Sequence, residues 1–364
     1  MDAKKYNLIK ISLGIFKGVI SFTFILMFLV SGWSLFLESF LEEFIPGQYL
    51  LFLAYVVLLS IAGGIIFFPL NVYVGYFLEH KYKLSNQTFV KWIWEGTKGI
   101  LVGGAIGIPL LLLFYFVLNL FLDWWWLPFA LIMFIVSVIL AQVLPVLILP
   151  IFYKVKPLDN IELKDRITNL AVEAGIKVEN IYKFDMSKNT NKANAAFTGL
   201  GKTKRIILGD TLLENYSIDE IETVVAHELG HFKRKHIVKN IIIGTLFSFL
   251  TFFLIAQIYS VSLNWFGFNS ITQISALPLL GLCGMLIGVL QTPISNMISR
   301  KFEYQADEYA VETTSKHKAF IDTLEKLTDQ NLGDRNPHPL IEWYFYSHPS
   351  IENRKRFILS VMDK

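Results

Sequence analysis

Residues 240–299 read NIIIGTLFSFLTFFLIAQIYSVSLNWFGFNSITQISALPLLGLCGMLIGVLQTPISNMIS, with neither Lys nor Arg. The window is long enough for two membrane spans of about 20 residues each, with the polar residues 264–273 as the turn between them. Two further windows lack basic residues, 18–80 and 99–153. Glu38, Glu42, Glu43, Pro46 and Gly47 interrupt the first, and Asp123 and Pro128 the second. The pattern predicts six transmembrane helices near 14–37, 50–77, 99–121, 127–150, 238–262 and 275–298. Every Lys and Arg falls at the N-terminus, in 81–98, in 154–239 or after 299. Basic loops stay on the cytoplasmic side, so both termini and the polar segments are expected to face the cytoplasm.

Composition agrees with this reading. Hydrophobic residues make up 54% and charged residues 17% of the chain, against about 25% charged in soluble domains. The net charge of +3 is too small to signal a polyanion, so no nucleic-acid partner is expected. The single cysteine, Cys283, excludes an internal disulfide and a Cys-rich zinc site. Lys4, Lys5 and Lys10 precede an apolar run too long for a signal-peptide core and without a cleavage site, so an uncleaved first span is expected. The spacings Gly14/Gly18, Gly103/Gly107 and Gly284/Gly288 predict close helix packing within the bundle. Pro69, Pro109, Pro145, Pro278 and Pro293 favour a bundle around a cavity, where freed carbonyls find partners.

The chain divides into a four-helix membrane region, 1–153, with a cytoplasmic loop at 79–98, then a polar segment 154–236, two further spans in 237–299, and a polar end, 300–364. In the first polar segment, 161–174 reads as an amphipathic helix stopped by Gly175, and 178–184 and 204–208 as strands. Residues 193–198 read as a third strand turning into the next at Gly199 and Gly201. Ser217 with Glu220 forms a capping box ahead of a helix. After 299, helices are expected at 300–315 and 316–329, then a Pro-rich loop at 336–349 and a last helix capped by Ser350. The fold class is a predominantly α, six-span membrane protein with a small α+β domain on its cytoplasmic face.

Just before the quoted window stands His227-Glu228-Leu229-Gly230-His231. Histidines four apart on a helix share a face, so both imidazoles can reach one metal ion, and Glu228 is placed to act as base on a metal-activated water. A surface helix with two solvated histidines is the plain alternative. Just after the window stands Glu303-Tyr304-Gln305-Ala306-Asp307. Glu303 can supply a third ligand, while Asp307, one turn on, accepts the free N–H of a histidine ligand. An ordinary charged interfacial helix accounts for the same residues, since Arg300, Lys301 and Glu308 are charged too.

Four blocks, HELGH at 227–231, EYQAD at 303–307, NAAFTGLGKTKRIILGDTLL at 194–213 and YSHPSIENR at 346–354, resemble the type I CAAX prenyl proteases. These are multispanning membrane zinc endopeptidases of the gluzincin kind. FPLNVYVGYFLEHKYKLSNQT at 68–88 adds a fainter match. The resemblance implies one Zn²⁺ held by His227, His231 and Glu303, with Glu228 as base and His348 as oxyanion donor. It also implies that the strand holding Asn194 and Ala195 pairs with an extended substrate, and that the helices enclose a large water-filled chamber. Eukaryotic members have one N-terminal span more than the six read here. His338, between two prolines, competes with His348, and the SHP block favours the latter. His236, within Lys233-Arg234-Lys235-His236, reads as a membrane-surface anchor, and His80 and His317 as solvated.

The expected function is hydrolysis of peptide bonds in a peptide or protein substrate, C-terminally prenylated ones included, by a multi-pass protein of the cell membrane. A membrane quality-control protease of the HtpX kind is the nearest rival. A transporter or receptor with a structural zinc site is a rival of another class, and predicts four protein ligands.

Overall fold

The structure, a computed structural model, describes residues 2–175, 181–199 and 204–362. Six of its helices are long and apolar enough to cross a membrane. They are α1 (Asp2–Val30), α3 (Gln48–Lys81), α4 (Phe89–Trp124), α5 (Trp126–Phe152), α9 (His236–Phe266) and α10 (Ile274–Thr314). The ten-residue α2 (Trp33–Glu42) lies between the first two.

Boundaries differ from the sequence reading in three places, each for a local reason. The first span, expected at 14–37, starts at Asp2 and ends at Val30 because Gly32 takes φ +78, a left-handed conformation that stops a helix. The third starts ten residues early, where Thr88 Oγ1 accepts the Lys91 N–H at 3.3 Å as an N-cap. The sixth does not end at 298. It runs unbroken to Thr314, so the helix expected at 300–315 is its last four turns.

The bundle is open. In five of the six spans only 6–17% of the apolar window is buried, against 39% in α10, whereas helices packed on a solid core bury a full stripe. The expectation that paired glycines mark close packing fails with it. A Cβ added at Gly14, Gly18, Gly103, Gly107 or Gly288 would meet nothing within 4 Å, and at Gly284 only Ile255 at 3.8 Å. The spans are pinned instead at the hairpin tips, by a cluster that includes Phe52, Tyr55, Tyr115, Leu118, Trp125 and Tyr259. There Glu38 accepts the N–H groups of Ile274 and Ser275, at 3.0 and 3.2 Å, tying α2 to the start of the sixth span. Beside this cluster lies a cavity of about 550 Å³, lined by Phe28, Phe52, Phe114 and Phe252 among others.

At the other end sits a four-stranded sheet of β1 (Val155–Pro157), β2 (Ile181–Phe184), β3 (Ala195–Thr198) and β4 (Arg205–Gly209), in the order β1-β2-β4-β3. β2 and β4 are parallel and the outer pairs antiparallel. β1 was not expected, being a three-residue strand without an apolar pattern. Residues 178–180 of the expected first strand, and Gly201 of the expected turn, lie outside the described residues. Around the sheet pack α6 (Ile161–Glu173), α7 (Asp210–Asn215), α8 (Ile218–Lys233), α11 (His317–Gln330) and α13 (Ile351–Met362), while α12 (Pro339–Phe345) lies against α10, where Asn296 Nδ2 donates to the Tyr344 carbonyl at 2.6 Å. Their core holds Ile167, Leu208, Leu212, Val225, Phe320 and Ile358. α6 is capped by Asn160 and followed by Gly175 at φ +80. α12 falls where only a loop was expected.

Alanine at both Gly103 and Gly107 should leave thermal stability unchanged or raised, since Gly in a helix interior costs about 0.5–1 kcal/mol relative to Ala. A fall of the melting midpoint in a detergent melt would place a packed neighbour against that face.

Candidate metal centre

Helix α8 starts at the expected capping box. Ser217 Oγ accepts the Glu220 N–H at 3.3 Å, and Glu220 accepts the Ser217 N–H at 2.7 Å. From this fixed start, His227 and His231 fall on the face turned toward α10. The approach of the two helices is set by Gly230, where a Cβ would stand 3.0 Å from both Cα and O of Ala306. A side chain there would be tighter than nearly all real contacts, and glycine leaves the approach free.

The approach brings three donors together. His227 Nε2 lies 3.2 Å from His231 Nε2, and each lies 3.4 Å from an oxygen of Glu303. Donors bound tetrahedrally at about 2.0–2.1 Å stand about 3.3 Å apart, so the spacing fits a zinc-sized cation. Glu303 is 5% exposed, and its buried Oε2 has no hydrogen-bond partner. A buried carboxylate oxygen left in this way is costly unless a cation meets it. Among the described residues no further His, Cys, Asp or Glu joins this group.

The surroundings fix both imidazoles. His227 Nδ1 donates to Asp307 Oδ1 at 2.9 Å. Asp307 is fully buried and gripped by Arg354 through Nε at 2.8 Å and Nη2 at 2.5 Å. Breaking such a buried pair on one side costs about 3–5 kcal/mol. Burial opposes the charged form of His227, but the carboxylates of Asp307 and Glu303 outweigh it and raise its pKa to about 10.

His231 is held differently, and here the structure corrects the sequence reading. His236 is not a membrane-surface anchor but is buried, stacked on Phe302 with ring centroids 4.3 Å apart. Its Nδ1 lies 2.9 Å from His231 Nδ1 and its Nε2 2.9 Å from Gln305 Oε1. Since the amide oxygen can only accept, Nε2 carries the proton and Nδ1 accepts from His231, leaving Nε2 of His231 its lone pair. His80 is not solvated either, both ring nitrogens lying 2.8 Å from carbonyl oxygens, of Tyr76 and Gln87. His317 is half-buried, its Nδ1 covered and without a hydrogen-bond partner among the described residues.

The remaining expected residues line the same cavity of about 420 Å³, namely Glu228, Asn194, Ala195 and His348. Glu228 Oε2 accepts the Phe197 N–H of edge strand β3 at 3.2 Å. Asn194 is exposed one residue before that strand. His348 is exposed, with Nε2 3.4 Å from Glu303 Oε1. Its loop is anchored by Glu342, which accepts from the Ser350 N–H and the Asn353 side chain at 3.0 and 2.9 Å. His338 lies outside this cavity and caps α12, its Nδ1 accepting the Leu340 N–H at 3.2 Å.

The family described as "Peptidase family M48" matches residues 157–361, and "CAAX prenyl protease N-terminal, five membrane helices" matches 1–154. The chain belongs to peptidase family M48. Among its relatives, CAAX prenyl protease 1 of Saccharomyces cerevisiae is 35% identical over 334 residues, covering 86% of this chain and 73% of the relative. The uncharacterized metalloprotease YhfN of Bacillus subtilis is 31% identical over 356 residues, covering 97% of this chain and 83% of the relative. The crystal structure of S. mikatae Ste24p superposes with a TM-score of 0.88 at 31% identity, covering 98% of this chain and 88% of the other. This M48 protein is therefore a multi-pass, metal-dependent protease like the CAAX prenyl proteases, acting on peptide or protein substrates. The N-terminal match favours that reading over a quality-control protease or a transporter. Residues 1–154 hold four long apolar helices and the short α2, beside the five membrane helices of the family description.

Two outcomes follow for metal binding. Asp307→Asn should lower metal affinity about 10–100-fold in a chelator competition, and unchanged affinity would remove Asp307 from the site's support. Because metal must displace the proton that His227 holds up to about pH 10, affinity should rise about tenfold per pH unit across neutrality. A flat profile would show that no such proton competes.

Proposed function

We propose that this protein cleaves peptide bonds with one zinc ion held by His227, His231 and Glu303, at a membrane-proximal site facing the cytoplasm. The observation that carries the reading is the single cavity that joins the three donors, Glu228 and the open edge of β3. Zinc, when bound, lowers the pKa of a water toward about 7 and polarises the scissile carbonyl.

Each remaining task falls to a residue of the chain. The edge of β3 accepts the substrate as an added strand, which fixes the scissile bond through main-chain pairing without demanding a particular sequence. Asn194, exposed beside that edge, holds the substrate backbone through its amide. Glu228 takes the proton of the attacking water and delivers it to the leaving amine. Its link to the Phe197 N–H keeps the carboxylate on the substrate side of the histidine pair. His348 donates to the developing oxyanion, because its exposed ring turns Nε2 toward the metal donors while Ser347 Oγ meets its Nδ1 at 3.0 Å, whereas His338 is engaged in capping α12. Asp307 and Arg354 keep His227 in the tautomer whose Nε2 is free for metal.

The proposed substrates are C-terminally prenylated peptides, in keeping with the CAAX prenyl proteases the chain resembles, and the proposed location is the cell membrane. The basic residues of the segments that flank the spans and carry the site, among them Lys91, Lys98, Lys154, Lys188 and Lys233, support a cytoplasmic orientation.

The test uses purified protein with a prenylated CAAX peptide, its unprenylated twin and casein, each with and without chelator. The prenylated peptide should be cut fastest and chelator should stop it. Glu228→Gln should keep its zinc and lose at least about 10²-fold in rate. Cleavage by that variant at the wild-type rate would remove Glu228 as the base.

A further inference from the structure

The open edge of β3 is short, and one side chain closes it. The Gly209 N–H donates to the Asn194 carbonyl at 2.9 Å, and Ala195 stands opposite Leu208. In an antiparallel pair the main-chain groups alternate in direction. Those of 194, 196 and 198 therefore turn to β4, and those of 193, 195 and 197 turn outward to the cavity. Ala193 is not open. Its N–H donates to Asn331 Oδ1 at 2.9 Å, and Asn331 Nδ2 donates to its carbonyl at 3.1 Å. The amide thus makes both bonds that a pairing strand would make there. At the other end Glu228 takes the Phe197 N–H. Ala195 is left between them, its outward groups without a partner among the described residues.

Asn331 does not stand there by chance of a flexible loop. It follows the last turn of α11, with its own N–H bonded to the Leu327 carbonyl at 3.0 Å. The preceding Gln330 receives the Tyr216 hydroxyl at 2.8 Å and donates to the Asn191 carbonyl at 2.7 Å. A substrate strand running past Ala195 therefore meets a fixed amide where its next partner should be.

The geometry points to Asn331 as the residue that limits how much substrate extends beyond the scissile bond. This rests on the reading that β3 receives the substrate. An antiparallel addition, the more stable per residue, places the substrate's C-terminal side at Ala193 and Asn331, with the bond to be cut beside Ala195 and Glu228. Only a short C-terminal segment fits before the edge ends. The specificity is for length, since main-chain pairing is blocked whatever side chains the segment carries.

The experiment uses the full-length zinc-loaded protein and two ladders of peptides sharing one scissile bond. One ladder lengthens the segment after the bond, the other the segment before it, and product masses report the cut. Wild-type rates should fall once the C-terminal segment passes the limit. Asn331→Ala should move that limit outward by one strand repeat and raise the long-to-short rate ratio about tenfold, as expected for one added pair of hydrogen bonds. Asn331→Asp, of the same size, keeps the acceptor for the Ala193 N–H and frees only its carbonyl, so its shift should be intermediate. Uniform slowing of both variants across the ladder would reduce Asn331 to an anchor of the loop and overturn the proposal. A shift on the N-terminal ladder alone would overturn the antiparallel placement. A wild-type protein that cuts no peptide of either ladder would sink the protease reading itself, a result distinct from both.

Discussion

The contact on which the site depends is the closeness of two helices at Gly230 and Ala306. Two imidazoles one turn apart are a common consequence of helix geometry and bind metal weakly alone. They become a three-donor site only because α10 passes α8 with no side chain between them, which sets Glu303 at 3.4 Å from both. The same approach buries Asp307 behind His227 and Gln305 behind His236. A methyl group at residue 230 would crowd the Ala306 backbone at 3.0 Å and Tyr309 Cβ at 3.1 Å, so α10 would have to give by a few tenths of an ångström just where it carries Glu303 and Asp307. The glycine of HELGH is as much part of the metal centre as its histidines.

That contact also explains how a membrane bundle and a protease domain share one site. α10 is a single helix from the hairpin tip to Thr314, so Glu303 and Asp307 ride on the same rigid element as the sixth span. α9 starts at His236, which is at once the first residue of the fifth span and the support of His231. The donors are therefore tied to both spans without any flexible linker. The bundle itself is held by the cluster at the far tips, and most of its spans bury little of their surface. Of its paired glycines only Gly284 faces a neighbouring span, at Ile255.

Much of this was legible in the chain because it is local. Basic-free windows, the Ser217 capping box, histidines at helical spacing and the Glu303/Asp307 pair each follow from short-range periodicity. The parts that were not legible depend on tertiary approach. Lys233, Arg234 and Lys235 made His236 look like a surface residue, yet the left-handed turn at Lys235, φ +58, swings it inward onto Phe302. Arg354 lay within the quoted YSHPSIENR block without any sign that it would grip Asp307 across 47 residues. Asn331 carried no motif at all, and its role comes from the strand it faces. The paired glycines misled because small-residue spacing says that close packing is allowed, not that a partner is present.

Anomalous diffraction at the zinc absorption edge, on crystals of the zinc-loaded protein, tests the centre most directly. One peak is expected, within about 2.0–2.2 Å of His227 Nε2, His231 Nε2 and a Glu303 oxygen, with solvent at the fourth position. A peak enclosed by four protein side chains, His348 among them, or one lying away from Glu303, would contradict it.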